Sequence, residues 1–321
     1  MIAVLCGGFG AARFLSGLGE RGAELCCVVN TADDLEYLGL HVSPDLDSVL
    51  YALAGEFDEE RGWGLRGDTF HCNAALARHG ADWFHVGDRD LATHLERTRQ
   101  LRAGRTLSEA TAELTSVWGV AARLLPMSDS PVRTVVRTDA GPLTLQEYLV
   151  RHHAGPRVHG VDHAGRADAA PAPGVLDALA AAELVVLAPS NPVSSLGPIL
   201  ALPGVRETLA ARAGGTVAVT PVVNGRPPAT PPEQGRARVR AAFMEARGLP
   251  HRAAAVAGLY AGLVQGFVLD ERDAAAESAE IDALGMRVLC ADTLAASPGE
   301  RRRLAGAVLE FGRGVSREPR R

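Results

Sequence analysis

Short, mostly apolar segments recur along the chain, each followed by a polar or glycine-rich turn and then by residues with helical apolar spacing. Segments of this kind predict buried strands at 2–5, 25–29, 184–188, 216–222, 267–270 and 286–289. Strands that are apolar on both faces and alternate with helices form parallel sheets. The pattern therefore predicts an α/β protein, with a Rossmann-like, mostly parallel sheet and helices on both faces.

The alternation of strands and helices is weakest between about residues 90 and 180. Two helices are predicted within 91–120, and a β-hairpin is predicted around 139–141. Residues 151–174 are polar and rich in Gly, Pro and His, which predicts a loop. We therefore expect a single α/β domain over 1–321, with an inserted, mainly helical subdomain at about 90–180.

A glycine-rich turn, with Gly7, Gly8 and Gly10, joins the first strand to the first helix. Backbone N–H groups at such a helix start can face an anion, although glycines are equally needed for a tight turn and close packing. The second strand ends at Asn30. Because ligands bind beyond the carboxyl ends of parallel strands, both turns are expected to face one crevice.

Acidic side chains crowd the stretch after the second strand. Five of them fall within fifteen positions: Asp33, Asp34, Glu36, Asp45 and Asp47. Ser43 and Pro44 predict a helix start, with a capping hydroxyl and a proline in the first turn. Clustered carboxylates repel one another unless a cation balances them. We expect a divalent metal site beside a phosphorylated substrate; the alternative is an acidic, solvated loop before a well-capped helix.

Three further turns offer candidate ligand groups. Trp63 lies between two glycines, where it could stack on a flat ligand or serve as a local packing anchor. Residues 83–94 predict a strand end, a turn and a helix capped by Asp, which would bring Asp88, Arg89 and His94 together. A strand followed by Pro189–Pro192 offers a hydroxyl, an amide and backbone donors.

The composition restricts the chemistry. All 33 basic residues are arginine, so a Schiff base and a P-loop lysine are excluded. A phosphate must then be bound by arginine, by backbone N–H groups or by a metal ion. The net charge of −5 argues against a nucleic-acid partner held by bulk electrostatics.

Cysteine usage and hydropathy predict the compartment. The five cysteines have no metal-like spacing and are expected to be reduced thiols: Cys6, Cys26, Cys27, Cys72 and Cys290. The first strand begins at residue 2 without a charged leader, and no apolar run approaches the length of a membrane span. We expect a soluble cytoplasmic protein with no membrane partner.

Taken in order, these segments resemble the 2-phospho-L-lactate transferase family of deazaflavin coenzyme F-420 biosynthesis. The matching signatures run along nearly the whole chain: 7–10, 29–34, 43–47, 61–64 with 68–70, 87–90 with 92–94, 125–129, 160–162, 189–192 and 267–273. Each is weak alone, and their joint order and spacing make the resemblance specific.

The resemblance implies a Mg²⁺-dependent phosphotransferase, often a homodimer, with a Rossmann-like core. It implies that a phospho-acid group passes from a guanosine diphosphate diester to the ribityl hydroxyl of the deazaflavin FO, and that GMP leaves. The acid of the donor would be lactate, enolpyruvate or 3-phosphoglycerate.

The resemblance also implies roles for residues. Asp45, with Asp34 or Asp47, would hold Mg²⁺, and a carboxylate left off the metal would orient or deprotonate the hydroxyl. Arg89 or Arg13 would stabilise the departing charge. The remaining candidates are assigned to substrate binding: the Gly7–Gly10 turn with Ser190 and Asn191 for diphosphate and guanosine, Trp63, Met127 and Ser128 for the deazaflavin, and also Asn30, Asp33, Asp88 and His94.

The first signature departs from the family pattern, which has Thr and Lys where this chain has Phe9 and Arg13. The backbone N–H groups of the turn can still bind an anion, whereas direct contact between a side chain of the turn and phosphate is placed in doubt. Two other functions remain open. One is a regulatory protein of the same superfamily that binds a nucleotide-sugar, and the other is a nicotinamide oxidoreductase, which the glycine spacing disfavours.

Overall fold

The computed structural model describes residues 1–19, 22, 24–228 and 230–315. Its centre is a seven-stranded, all-parallel sheet in the order β12-β11-β10-β9-β1-β2-β5. These strands are β1 (Ile2–Cys6), β2 (Leu25–Val29), β5 (Arg123–Pro126), β9 (Leu184–Leu187), β10 (Gly215–Val219), β11 (Gly266–Asp270) and β12 (Arg287–Ala291). The predicted parallel α/β fold is confirmed.

Two smaller antiparallel sheets accompany the parallel one. A hairpin joins β3 (Leu35–Tyr37) to β4 (Leu40–Val42), and a three-stranded sheet has the order β7-β6-β8. The latter strands are β6 (Arg133–Thr138), β7 (Gly141–Thr144) and β8 (Val158–Ala164). The hairpin predicted around 139–141 is confirmed.

The helices form layers on the two faces of the parallel sheet. They are α1 (Gly8–Gly19), α2 (Pro44–Leu53), α3 (His71–Ala77), α4 (Asp88–Arg102), α5 (Leu107–Val117), α6 (Val175–Ala181), α7 (Leu196–Leu200), α8 (Val205–Ala211), α9 (Pro231–Glu245), α10 (Ala253–Leu259), α11 (Ala274–Ala283) and α12 (Pro298–Val315). Shorter turns lie at Glu147–Arg151, Arg166–Asp168 and Glu271–Asp273.

Side chains alternate between the two faces along each strand. Ala3 and Leu5 of β1 belong to one core cluster, together with residues of α6 to α11. Val4 and Cys6 belong to the other, together with residues of α1, α2, α5 and α12. Both faces of the sheet are therefore buried, as the mostly apolar strands predict.

Three local predictions are wrong. Residues 158–164 form β8, where a loop was expected, because pairing with β6 supplies the backbone hydrogen bonds that the sequence pattern does not show. No strand forms at 83–86. Ser43 precedes α2 but does not cap it; its hydroxyl donates to Asp34 instead.

The segment between about 90 and 180 contains α4 and α5 and then the three-stranded antiparallel sheet. It is thus helical in its first part and mainly strand in its second. Among the described residues no helix is long and apolar enough to cross a membrane.

Candidate active site

The parallel sheet reverses its direction of winding between β1 and β9. From β1 the chain adds β2 and β5 on one side, and β9, β10, β11 and β12 follow on the other. Ligands of such sheets bind where the winding reverses, beyond the carboxyl ends of the strands. The turn after β1 and the turn after β9 meet there, and the N–H of Gly7 donates to Ser190 Oγ over 3.1 Å.

The glycine turn approaches its neighbours too closely for side chains. A Cβ on Gly7 would lie 2.3 Å from Asp45 Oδ2, and one on Gly10 would lie 2.2 Å from the carbonyl oxygen of Pro189. The N–H of Gly8 donates to the carboxylate of Asp45. The glycines are therefore required for packing, and they also bring the start of α1 against a carboxylate.

Asn30 connects two carboxylates beneath this turn. Its Nδ2 donates to Asp33 Oδ2 over 3.0 Å and to Asp45 Oδ2 over 2.9 Å. Thr134 Oγ1 donates to the other oxygen of Asp33 over 2.8 Å. Asn30, Asp33 and Asp45 are all buried, so the amide orients two acids that face each other across a low-dielectric site.

Burial raises the pKa of Asp45 to about 7, with the charge of Asp34 adding to the effect and the Asn30 hydrogen bond opposing it. Burial, followed by the charge of Asp45, raises the pKa of Asp33 well above its usual range. Both shifts have the same physical cause, since carboxylates close together and away from water cannot all ionise easily. A cation bound among them would reverse the shifts.

In the described part of the chain, one carboxylate oxygen of Asp34 is hydrogen-bonded and the other is not. Its Oδ2 accepts from Ser43 Oγ over 2.9 Å and lies 3.0 Å from His41 Nε2. Its Oδ1 is buried and has no hydrogen-bond partner among the described residues. An unpaired buried carboxylate oxygen is costly, which marks this atom as a candidate ligand for a metal ion.

Asp47 belongs to a second polar cluster on the other side of α2, because positions two apart on a helix point in nearly opposite directions. The buried Arg97 guanidinium binds both of its carboxylate oxygens. His94 lies between Asp47 and Asp90, with ring nitrogens 3.5 Å from each, and Tyr51 donates to Asp90 over 2.7 Å.

Donor atoms of Asp47, Asp90 and His94 lie within 4.8 Å of one another, so this group could hold a metal ion. Arg97 already neutralises Asp47, however, and Tyr51 occupies an oxygen of Asp90. The structure therefore separates Asp47 from Asp45, which the sequence had grouped as metal ligands.

A cleft of about 630 Å³ opens at the switch point. Gly7, Gly8, Gly10, Arg13, Asp33, Asp45, Ser190 and Asn191 line it, as predicted site residues. Among the described residues, six arginines but only three acids contribute to its wall. The cleft is thus a basic site with two carboxylates at its base.

Several predicted site residues do not line this cleft. Asp88 accepts N–H groups of His71 and Cys72 at the start of α3. Arg89 is about half exposed and lies 3.5 Å from Glu56.

Two further candidates for the deazaflavin side lie in the core. Met127 is fully buried, and the hydroxyl of Ser128 donates to the carbonyl of Ala170 over 2.6 Å. Both side chains are therefore enclosed by protein in this conformation.

Trp63 lies beside the cleft rim. Its ring packs edge-on against Phe70, and the Arg61 guanidinium lies 5.2 Å from its centroid. A Cβ on the preceding glycine, Gly62, would be 3.4 Å from the ring of Phe9, a cleft residue. The Trp63 loop therefore borders the cleft through Phe9.

Two buried aspartates hold the loops that complete the wall. Asp270 accepts both the N–H and the hydroxyl of Thr293, over 2.9 and 2.8 Å. Asp273 accepts the N–H groups of Asn224 and Gly225, over 2.8 and 2.6 Å. Residues of the signature at 267–273 thus hold two loops of the cleft wall in place.

The sequence did not single out Arg236 and Arg240, which line the cleft from α9. They lie more than 200 residues from the glycine turn in the chain, and only the fold places them opposite it. Their spacing of four on a predicted helix, directly after a proline-rich loop, is the signal that could have found them.

Comparisons with known proteins identify the family of this chain. The model of the family described as 2-phospho-L-lactate transferase CofD matches residues 2–294. The chain is 43% identical over 296 residues to a phosphoenolpyruvate transferase of Streptomyces griseus, covering 89% of this chain and 90% of that protein. It is 40% identical over 309 residues to a 2-phospho-L-lactate transferase of Methanosarcina acetivorans, covering 95% and 97%.

The solved structure of a UPF0052-family protein from Bacillus halodurans is similar in fold, with a TM-score of 0.61. It is 18% identical, with 96% of this chain and 98% of that chain covered, so the likeness concerns the fold alone. The family match spans nearly the whole chain and includes the glycine turn, the carboxylates and the switch-point turns. The chain therefore belongs to the 2-phospho-L-lactate transferase CofD family.

Proposed function

We propose that the protein transfers a phospho-acid group from a guanosine diphosphate diester to the primary ribityl hydroxyl of FO, with release of GMP, in coenzyme F-420 biosynthesis. Relatives of this chain are named 2-phospho-L-lactate transferase and phosphoenolpyruvate transferase, and these names support this reaction class. The observation that carries the proposal is the switch-point cleft, where a glycine turn, two neighbouring carboxylates and several arginines face one another.

The reaction forms a bond between the ribityl oxygen and the phosphorus that bears the acid. The bond from that phosphorus to the bridging oxygen breaks, and GMP leaves with its electron pair. The hydroxyl proton must pass to a base. Phosphoryl transfer of this kind depends mainly on positioning and charge neutralisation, which a basic cleft with a backbone anion site provides.

The carboxylates fit a magnesium ion. Asp45 has a raised pKa, and Asp34 has an unpaired buried oxygen, so each would be stabilised by a cation. Carboxylate oxygens are the ligands that Mg²⁺ prefers. We assign the metal to Asp45 with Asp34; when bound, the ion would neutralise charge on the diphosphate.

The other residues act on the two substrates. Asp33 lines the cleft and is not assigned to the metal, so it is the carboxylate placed to accept the proton of the ribityl hydroxyl once a bound cation has reversed its pKa shift. Arg13 is fixed by its hydrogen bond to the carbonyl of Ala295, over 2.8 Å, and stabilises the charge on the leaving GMP. Ser190 and Asn191 bind the donor, and the Trp63 loop contacts the deazaflavin.

The test is a transfer assay with FO, Mg²⁺ and each of the three guanosine donors, carrying lactate, enolpyruvate or 3-phosphoglycerate. GMP release should match FO consumption with at least one donor, and omission of Mg²⁺ should stop it. Binding of FO without GMP release from any donor would contradict the proposal and favour a regulatory binding protein, for which a nucleotide-sugar titration is the direct check.

A further inference from the structure

Two arginines of α9 form a cationic pair that no predicted signature includes. Arg236 and Arg240 are four residues apart, so they lie on the same face of the helix. Both line the switch-point cleft, opposite the glycine turn. Their position raises the question of what they bind.

The Arg236 guanidinium lies over an aromatic ring. Its guanidinium carbon lies 3.8 Å from the centroid of Phe9, the side chain at the centre of the glycine turn. A guanidinium that stacks by its face keeps its N–H donors in the plane, directed to the sides of the ring. Stacking therefore orients Arg236 and leaves its forked donors available.

Arg240 is oriented by a different neighbour. Its Nε donates to His251 Nε2 over 3.1 Å, so that nitrogen of the imidazole is unprotonated. Burial, with the charge of Arg240 adding to it, lowers the pKa of His251 to about 4, which keeps the ring neutral. The histidine thus fixes Arg240 without neutralising it.

Neither guanidinium forms an ion pair with a carboxylate in the part of the chain that the structure describes. Glu233, the acid of α9 in the cleft wall, lies 3.8 Å from Arg226 instead. Burial and then Arg236 lower the pKa of Arg240 to about 10. Burial and then Arg13 lower the pKa of Arg236, and the charge of Glu233 opposes them. The free protein therefore holds like charges together at a cost that a bound anion would remove.

We propose that Arg236 and Arg240 form an anion-binding subsite that takes one phosphate of a diphosphate ester. Paired guanidinium forks match phosphate oxygens in geometry and charge. The glycine turn at the start of α1 provides the place for the other phosphate, and Phe9 links the two. The naming of a diphosphate rests on the proposed function, whereas the anion site itself rests on the geometry of α9.

The subsite is tested by titrating the metal-free protein with pyrophosphate, followed by calorimetry. Arg236→Gln and Arg240→Gln should each weaken binding by about tenfold or more, as expected for loss of a charged hydrogen-bond donor to phosphate. Arg99→Gln, which removes one exposed arginine from α4, is the matched control and should leave the affinity unchanged. Malonate, a dianion without phosphorus, should bind the wild type more weakly than pyrophosphate.

Stability gives a second readout. Because the pair is repulsive in the free protein, Arg240→Gln should keep or raise the melting temperature without ligand, whereas a purely structural arginine would lower it. Arg240→Lys retains the charge and should restore part of the pyrophosphate affinity.

Equal affinity of the Arg240→Gln and Arg99→Gln variants for pyrophosphate would overturn the subsite, and malonate binding as tight as pyrophosphate would overturn the assignment to phosphate. Neither result bears on GMP release in the transfer assay. Conversely, a wild type that binds pyrophosphate through this pair but transfers nothing would overturn only the proposed reaction.

Discussion

Asn30 and Asp45 are joined by a hydrogen bond of 2.9 Å, from the amide Nδ2 of Asn30 to the carboxylate Oδ2 of Asp45. The bond connects the end of β2 to the first turn of α2. It orients the carboxylate whose pKa is raised and places it beside the glycine turn. The chemistry that we propose for the cleft depends on this orientation.

Replacing Asp45 by Asn should reduce phospho-acid transfer by about 100-fold or more, because the substitution removes the charge that would bind the metal. Steady-state GMP release measures the effect, and circular dichroism checks the fold. Asp177→Asn, at an exposed acid of α6, is the control. Transfer by Asp45→Asn at the wild-type rate would remove the metal role of Asp45.

The raised pKa of Asp45 predicts a pH dependence of magnesium binding. Below pH 7 the ion must displace a proton, so affinity should rise by up to about tenfold per pH unit towards pH 7 and level off above it. Calorimetry in buffers of different ionisation enthalpy would detect the released proton. An affinity that is flat between pH 5.5 and 8.5 would exclude this coupling.

The same shift makes the metal-free protein less stable as the pH rises. The folded state binds a proton on Asp45 that the unfolded chain has already released, so this contribution is present below pH ~4, the unfolded pKa. It is lost as the pH rises to about 7. Thermal unfolding with a chelator should show the loss, and Asp45→Asn should reduce it.

Arg97 should be a stability residue. Arg97→Met leaves Asp47 buried without its partner and should lower the free energy of unfolding by about 3–5 kcal/mol. Adding Asp47→Leu should recover part of that loss. Arg99→Met, at an exposed arginine that pairs with Glu96, should cost much less, because solvent screens that pair. Urea unfolding gives the comparison, and equal losses for the two single variants would contradict the buried-pair interpretation.

Gly7→Ala should impair transfer, because the added Cβ would lie 2.3 Å from Asp45 Oδ2 and force the carboxylate or the turn to move. Gly258→Ala, in α10, is the matched control. Its Cβ would meet nothing within 4 Å, and alanine at a compatible helical position stabilises a protein by about 0.4–1 kcal/mol. Full activity of Gly7→Ala would show that the close approach is not needed.

Predictions from the sequence succeeded where the information was local. The apolar strands, the proline at the start of α2 and the glycine turn after β1 each express a backbone or burial preference of a few adjacent residues. Errors arose where a distant partner decides the structure. Residues 158–164 are a strand only because β6 lies beside them, and Ser43 does not cap α2 because Asp34 accepts its hydroxyl.

The parallel α/β fold, the switch-point turns and the presence of an acidic stretch near a glycine-rich turn all follow from local features of the sequence. Which acids share a site depends on the tertiary fold. The fold places Asp33 and Asp45 in the cleft, whereas Asp47 forms an ion pair with Arg97. It also brings Arg236 and Arg240 opposite the glycine turn. This difference arises because the sequence around a carboxylate or guanidinium does not indicate its partner. The apolar composition of a strand, in contrast, itself indicates that the strand is buried.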